Sequence, residues 1–394
     1  MRESDGDVKK RLVFYIPGYD PRGARHYHGI FRREAKKYSV RTGKEIRVSS
    51  RKRISRYRQC WNITCEEENH TVTTDYCILG WDDLIRQRWS QRPFSLLQDI
   101  GVFFRHYILT GAFLKYLKKT PNQYVTFFYP LIYFLLIFLS VIFIYDIISS
   151  IDVLNHSHWI IEIAALIFAF LIMVLLWVVG KKIAVYWLLS IYAFSARFAM
   201  RPDPELQERI DLFARSVVEG LKKCEKGEVD EVLLVSHSVG TILSIPVVWN
   251  VLKRFESIPG NNSCCFGVLT LGECIPLVSG LPQAEEYRKM MEDLAASKEM
   301  VWLDFTSSID GACFPLLDFF EDAHAQKKKA ENFKFISPRF HKIYRKEHYK
   351  KIKKNKYRAH FLYLEAPEEP GGYDYIAMTT GPKTLCQTFF KGRQ

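Results

Sequence analysis

No C-x-x-C pair occurs among the nine cysteines of this 394-residue chain, and their number is odd. That spacing excludes a structural zinc site, since adjacent Cys264-Cys265 cannot supply it, and the set reads as reduced thiols. His26 and His28 have no convincing third ligand, so neither a metal nor a cofactor is expected. Internal repeats and low-complexity segments are absent too. Met1 to Lys10 is polar and charged, so no cleavable signal is read there and any anchor is expected to be internal.

Lysine and arginine are absent from Asp146 to His158, although the chain carries a net charge of +13. Two apolar runs flank that link, Val125 to Tyr145 and Trp159 to Val179, the second interrupted only by Glu162. Each matches the roughly 20 residues that a helix needs to cross the hydrocarbon core. Together they predict an antiparallel transmembrane hairpin, with Pro130 tolerable in the first turns of the first span. Basic residues precede it (Arg86, Arg88, Arg92, Arg105, Lys115, Lys118, Lys119) and follow it (Lys181, Lys182, Arg197, Arg201). By the positive-inside rule both long soluble parts are expected on the cytoplasmic side.

The rest of the positive charge is concentrated. Lys327 to Lys329 form one cluster, and Lys342 to Arg358 holds nine basic residues with Tyr344, Tyr349 and Tyr357 among them. For an anchored protein this segment, 342–358, is read as contact with anionic membrane lipids of the cytoplasmic leaflet. A solvated basic helix is the plainer alternative. Such a segment would also suit a nucleic acid, but nothing else in the chain supports one, and none is expected as a partner.

Alternation of strand-like and helix-like patterns predicts an α/β fold with a mostly parallel sheet. Strands are expected at Arg11 to Ile16, Glu231 to Val235, Phe266 to Leu271 and Met300 to Phe305, with two or three antiparallel strands between Glu45 and Leu79. Helices are expected at His28 to Tyr38, Val239 to Phe255 and Gln283 to Ser297, with Pro246 kinking or ending the second. Asp203-Pro204-Glu205 marks a further helix start, an N-cap followed by proline at the first helical position. The stripe Leu96, Leu97, Ile100, Phe103, Phe104, Tyr107, Ile108 predicts an interfacial helix leading into the hairpin. Ile183 to Phe198 is its counterpart on the way out. The chain thus divides into an N-terminal part of the soluble domain, 1–93, a membrane insertion, 94–200, and a C-terminal part, 201–394.

The most informative stretch is Val232-Leu233-Leu234-Val235-Ser236-His237-Ser238-Val239-Gly240. It is an apolar run ending in Ser-His-Ser-Val-Gly, the pattern of a strand, a sharp turn with serine at its apex, and a helix. Ser236 stands where G-x-S-x-G has its first glycine, and Gly240 keeps the second. Serine is a weak nucleophile until a histidine takes its proton and a carboxylate orients that histidine. In chain order the acid should follow on a loop past a later strand. Asp310 meets that condition better than Asp304, which lies within its strand. His360, at the junction between the charged run and an apolar segment, is the expected base, with His341 second. An oxyanion would be held by the backbone N–H groups of Val239 and of Tyr19, after Pro17-Gly18.

Taken together, these residues resemble the α/β-hydrolase superfamily, particularly its serine esterases and lipases, and the chain is similar to a group of membrane-anchored bacterial members. The resemblance covers Pro17-Gly18-Tyr19-Asp20, the elbow Ser236 to Gly240, the strand Val268 to Gly272, Asp310 and His360. It implies an α/β-hydrolase-like sheet flanked by helices, a Ser-His-Asp triad, a carboxylic ester substrate and a bacterial inner-membrane location. The sequence departs from the common pattern in having Pro17-Gly18 for His-Gly, Ser236 for glycine, and a two-helix insertion. The expected activity is cleavage of a lipid-like acyl ester. Acyl transfer by the same triad, and an inactive scaffold, are the alternatives.

Overall fold

The computed structural model describes residues 7–67, 70–88, 93–116, 118–152, 158–201, 203–254, 265–325 and 329–390. Cys264, Lys327, Lys328 and Arg92 therefore lie outside the described residues.

Strand β1 (Lys10–Ile16) is the hub of a nine-stranded sheet. Helix α1 (Gly23–Thr42) follows, then β2 (Glu45–Val48), β3 (Lys52–Arg53), β4 (Arg58–Glu67) and β5 (His70–Leu79). The chain then passes through α2 (Asp82–Arg88), α3 (Pro93–Phe103), α4 (Pro121–Asp152), α5 (His158–Lys182) and α6 (Val185–Met200). It returns through α7 (Pro204–Glu225) to β6 (Glu231–His237), α8 (Gly240–Arg254) and β7 (Cys265–Leu271). Next come α9 (Pro276–Ser279), α10 (Glu285–Ala296), β8 (Val301–Phe305) and β9 (Phe333–Ile336). The C-terminal part includes α11 (Phe340–Ile343), α12 (Lys346–Lys354) and α13 (Lys356–Phe361).

The strand order is β2-β4-β5-β1-β6-β7-β8-β9, with β3 paired to β4. From β5 to β9 every pairing is parallel, and β2, β3 and β5 pair antiparallel with β4. Because β1 has β5 on one side and β6 on the other, the winding reverses beside it. The carboxyl ends of β1 and β6 therefore border a crevice, the usual place for a ligand in an open α/β sheet.

Period-2 alternation in β1 feeds two cores. Leu12, Phe14 and Ile16 pack with α6, α7, α8 and α10, whereas Val13 and Tyr15 pack with α1 and the C-terminal helices. At the start of β1 the buried Arg11 donates to Glu231 at 2.6 Å and to the carbonyls of Gly381 and Lys383 at 2.8 Å. That network fastens the C-terminal segment to the sheet, and removing one partner would strand a buried charge.

Four expectations differ from the structure. Helix α8 continues past Pro246 to Arg254, so the proline does not end it. Proline removes the N–H that would bond to the Ile242 carbonyl, and the Tyr287 hydroxyl of α10 donates to that carbonyl instead, at 3.0 Å. The stripe after Phe94 is not one interfacial helix: α3 passes into a π-helical turn, Phe104–Ile108, and a 3-10 turn, Ala112–Tyr116. Leu96, Phe103 and Tyr107 are buried in the protein core while Phe94 and Leu97 stay exposed. Helix α6 is likewise a core helix, with Leu189, Ile191, Tyr192 and Phe194 buried. Finally, Cys60 and Cys77, read as thiols, form a disulfide, and Cys224 is disulfide-bonded as well. Cys60 and Cys77 face each other in the β4–β5 register with Cα atoms 4.0 Å apart, a proximity that a separation of 17 residues conceals.

Within α4 and α5, the stretches Gln123–Ile147 and Ile163–Lys182 are long and apolar enough to cross a membrane. Their side chains are mostly exposed, Leu135, Phe138, Leu166 and Phe170 among them.

Candidate active site

Four strand ends converge on one point. β6 runs in register with β1 (Ile16 opposite Ser236) and with β7 (His237 opposite Leu271), so Ser238 emerges between the loops that follow them. Ser238 has a φ of 56°, in the left-handed region that a non-glycine residue enters only under constraint. The constraint is local. Its N–H donates to the Leu271 carbonyl at 2.9 Å, and its carbonyl accepts from Thr241 N at 2.9 Å as α8 begins. Gly240 permits the turn, since a methyl there would come within 2.6 Å of the Ile16 and Pro17 carbonyl oxygens. The missing first glycine is harmless because Ser236 is small, and its buried hydroxyl accepts from Ser244 at 2.6 Å.

The structure brings the three sequence-predicted side chains together. The Ser238 hydroxyl donates to His360 Nε2 at 2.7 Å, and His360 Nδ1–H donates to Asp310 Oδ2 at 2.9 Å. Asp310 lies in the loop after β8, and its other oxygen accepts from Ala312 N at 2.9 Å. Burial by itself would raise the pKa of this carboxyl. The His360 imidazole and the hydrogen bonds of His360 and Ala312 outweigh it, leaving Asp310 below its ordinary value and ionised. Asp304, the rival acid, remains inside β8 and accepts from Thr270 Oγ1 at 2.6 Å. His341, the rival base, is exposed on α11, beside Tyr349.

His237 has a role that its position in the elbow alone did not reveal. Its Nε2–H donates to the main-chain carbonyl of His360 at 2.8 Å, and the two rings lie 4.9 Å apart. Burial, reinforced by nearby His360, lowers the His237 pKa to about 3, so the ring is neutral. It positions His360 through the backbone. Strand alternation puts His237 on the face of β6 opposite Ser236, but only the packing of α13 shows what His237 meets.

The loop after β1 lies against the serine: a methyl on Gly18 would come 2.9 Å from Ser238 Cβ and 3.3 Å from its hydroxyl oxygen. Two indoles fix that loop, Trp81 donating to the Pro17 carbonyl at 2.9 Å and Trp187 to the Tyr19 carbonyl at 3.0 Å. Gly18 thus borders Ser238, and Tyr19 follows it on the loop where the second oxyanion donor was expected. Asp20 is engaged by Arg22 at 2.7 Å and by the Tyr27 hydroxyl at 3.1 Å. His28 donates to the Ser49 carbonyl at 2.9 Å, and His26 packs on Tyr27. No metal-holding cluster of His, Cys, Asp or Glu occurs among the described residues.

Ser238 lines an apolar cavity of about 50 Å³. Chemically, the arrangement offers a hydroxyl paired with a base, a base oriented by an ionised acid, and an apolar space beside the attacking atom. Compared with known protein families, curated proteins and solved structures, the chain matches none.

Proposed function

We propose that this protein is a membrane-anchored serine hydrolase of the α/β-hydrolase type that cleaves an acyl ester of lipid character. The observation that carries the reading is the continuous chain of hydrogen bonds from Ser238 through His360 to Asp310, with Ser238 at the edge of an apolar cavity. Ser238 Oγ attacks the ester carbonyl carbon while His360 Nε2 takes its proton. Ionised Asp310 keeps the proton on His360 Nδ1 and supports the imidazolium. The backbone N–H groups of Val239 and Tyr19 hold the oxyanion, that of Val239 at the start of α8. The intermediate collapses, the His360 proton passes to the departing alcohol, and water repeats the cycle on the acyl-enzyme.

Anchoring rests on the two apolar stretches, and the basic flanks support a cytoplasmic domain. The exposed lysines of α12 support contact with anionic lipid. The Cys60–Cys77 disulfide argues for an oxidising compartment instead. Thiol labelling of intact cells and of inverted vesicles separates the two orientations.

The test of the chemistry is labelling of the full-length protein by a fluorophosphonate probe. Wild type is expected to label and Ser238→Ala is not. Equal labelling of the two would remove Ser238 as nucleophile. Acyl transfer would use the same three residues, and product analysis with added alcohol distinguishes it from hydrolysis.

A further inference from the structure

The wall of the cavity at Ser238 is built largely by segment 94–200. Tyr107 comes from the π-helical turn, Phe127 from α4, and Trp187, Ile191 and Tyr192 from α6. Phe127 belongs to the same apolar stretch, Gln123–Ile147, that is long enough to cross a membrane. The foot of α4 is also fixed to the acid loop. Gln123 Nε2 donates to the Asp310 carbonyl at 3.3 Å, and a methyl on Gly311 would come 2.6 Å from Thr126 Oγ1. The candidate membrane helix, the triad acid and the cavity wall are therefore one packed unit.

A cavity with such walls offers water few hydrogen bonds, so its natural occupant is apolar. Its rim points to where that occupant comes from. Tyr124 and Trp187 are only half-buried. Close to the rim residues Ala112 and Tyr124 in sequence, Leu109, Leu114 and Val125 are 69%, 55% and 74% exposed. An apolar rim continuous with a membrane-length helix favours access from a bilayer over access from water.

Resting on Ser238 as the nucleophile, we infer that this cavity receives the fatty acyl chain of a bilayer lipid ester, drawn laterally from the leaflet beside α4 and α6. The insertion then selects the acyl chain as well as anchoring the enzyme.

The experiment uses the full chain in phosphatidylcholine liposomes with p-nitrophenyl esters from acetate to palmitate. Burial of the added methylenes is expected to raise kcat/KM at least about tenfold from acetate to laurate. Ile191→Trp, which fills the cavity, should lower the laurate-to-acetate ratio about tenfold. A flat wild-type profile with clear acetate turnover, or an unchanged ratio in the variant, overturns the acyl pocket and leaves Ser238 standing. Absence of both turnover and fluorophosphonate labelling sinks the nucleophile instead. A second measurement then decides the pocket, and does so equally if Ile191→Trp fails to fold. Ser238→Ala protein is irradiated in liposomes containing phosphatidylcholine with a diazirine at the acyl terminus. Cross-links at Phe127, Trp187 or Ile191 support the inference, and cross-links confined to exposed positions such as Phe138 and Phe170 overturn it.

Discussion

At the carboxyl end of the sheet, polar side chains are buried and paired; along α4 and α5, apolar side chains are exposed. Ser238, His360 and Asp310 are 4%, 2% and 0% exposed, and each satisfies the next. Leu166 and Phe170 are 67% and 58% exposed and have no protein surface to cover them. One physical rule governs both regions. A polar group removed from water needs a partner, and an apolar surface left outside the fold needs a medium other than water. The polar side chains at Ser238 find their partners within the chain, whereas apolar side chains of α4 and α5 such as Leu166 and Phe170 stay exposed. The cavity at Ser238 lies where the two meet.

The largest expected effect strikes the paired region. Asp310→Asn keeps the shape of the side chain and loses the carboxylate that fixes the His360 tautomer, so kcat for ester hydrolysis should fall by about 10⁴. The thermal midpoint should move far less. A comparable loss of stability and activity would make the chain of hydrogen bonds structural, not chemical.

The next prediction sharpens the contrast from the other side. Leu171 is 56% exposed, and on a water-facing helix arginine there would be nearly neutral. In a transmembrane segment Leu171→Arg costs about 3 kcal/mol of insertion free energy. Membrane fractionation of the variant reads the difference, and unchanged partitioning would place α5 outside the hydrocarbon core.

Gly240→Ala probes the turn that presents Ser238. The added methyl meets two main-chain oxygens at 2.6 Å, neither of which can rotate away. Destabilisation of about 3 kcal/mol is expected by denaturant titration. A change below 1 kcal/mol would mean that the elbow is looser than these distances imply.

The smallest effect concerns pH. Folded His237 takes a proton only near 3, while the unfolded chain takes it near the ordinary value of 6.5. Between those values the unfolded state binds more protons, so stability falls as pH drops from about 6.5 toward 3. Asp310 acts in the same sense only at lower pH, through the fall of its pKa below 3.8. His237→Gln retains an N–H for the His360 carbonyl and does not titrate. Its thermal midpoint should therefore decline less steeply between pH 6.5 and 4.5 than that of wild type.

Much of the sheet was legible because its signals are local. The apolar runs of β1, β6, β7 and β8 stand out, as does the Asp203 N-cap, which accepts from Leu206 N at 2.9 Å. Pro246 does not end α8, and the carbonyl it leaves without an N–H accepts from Tyr287, over 40 residues away in the chain. The stripe at Leu96 and Phe103 and the apolar face of α6 misled for another reason. An amphipathic helix has the same pattern whether its apolar face meets lipid or protein, and here the two segments cover each other and the sheet. Cys60 and Cys77 were hidden by register, a property of the pairing of two strands.

The sequence by itself determined β1, β6, β7 and β8, the serine elbow and the two apolar stretches, because periodicity and turn chemistry act over a few residues. It also singled out Asp310 and His360, by their places after a strand and a basic run. Only the tertiary structure decided that these two reach Ser238 and that His237 donates to the His360 carbonyl. It likewise decided that the foot of α4 walls the cavity. Those contacts join residues 50 to 187 positions apart, and what brings them together is the winding of the sheet about β1.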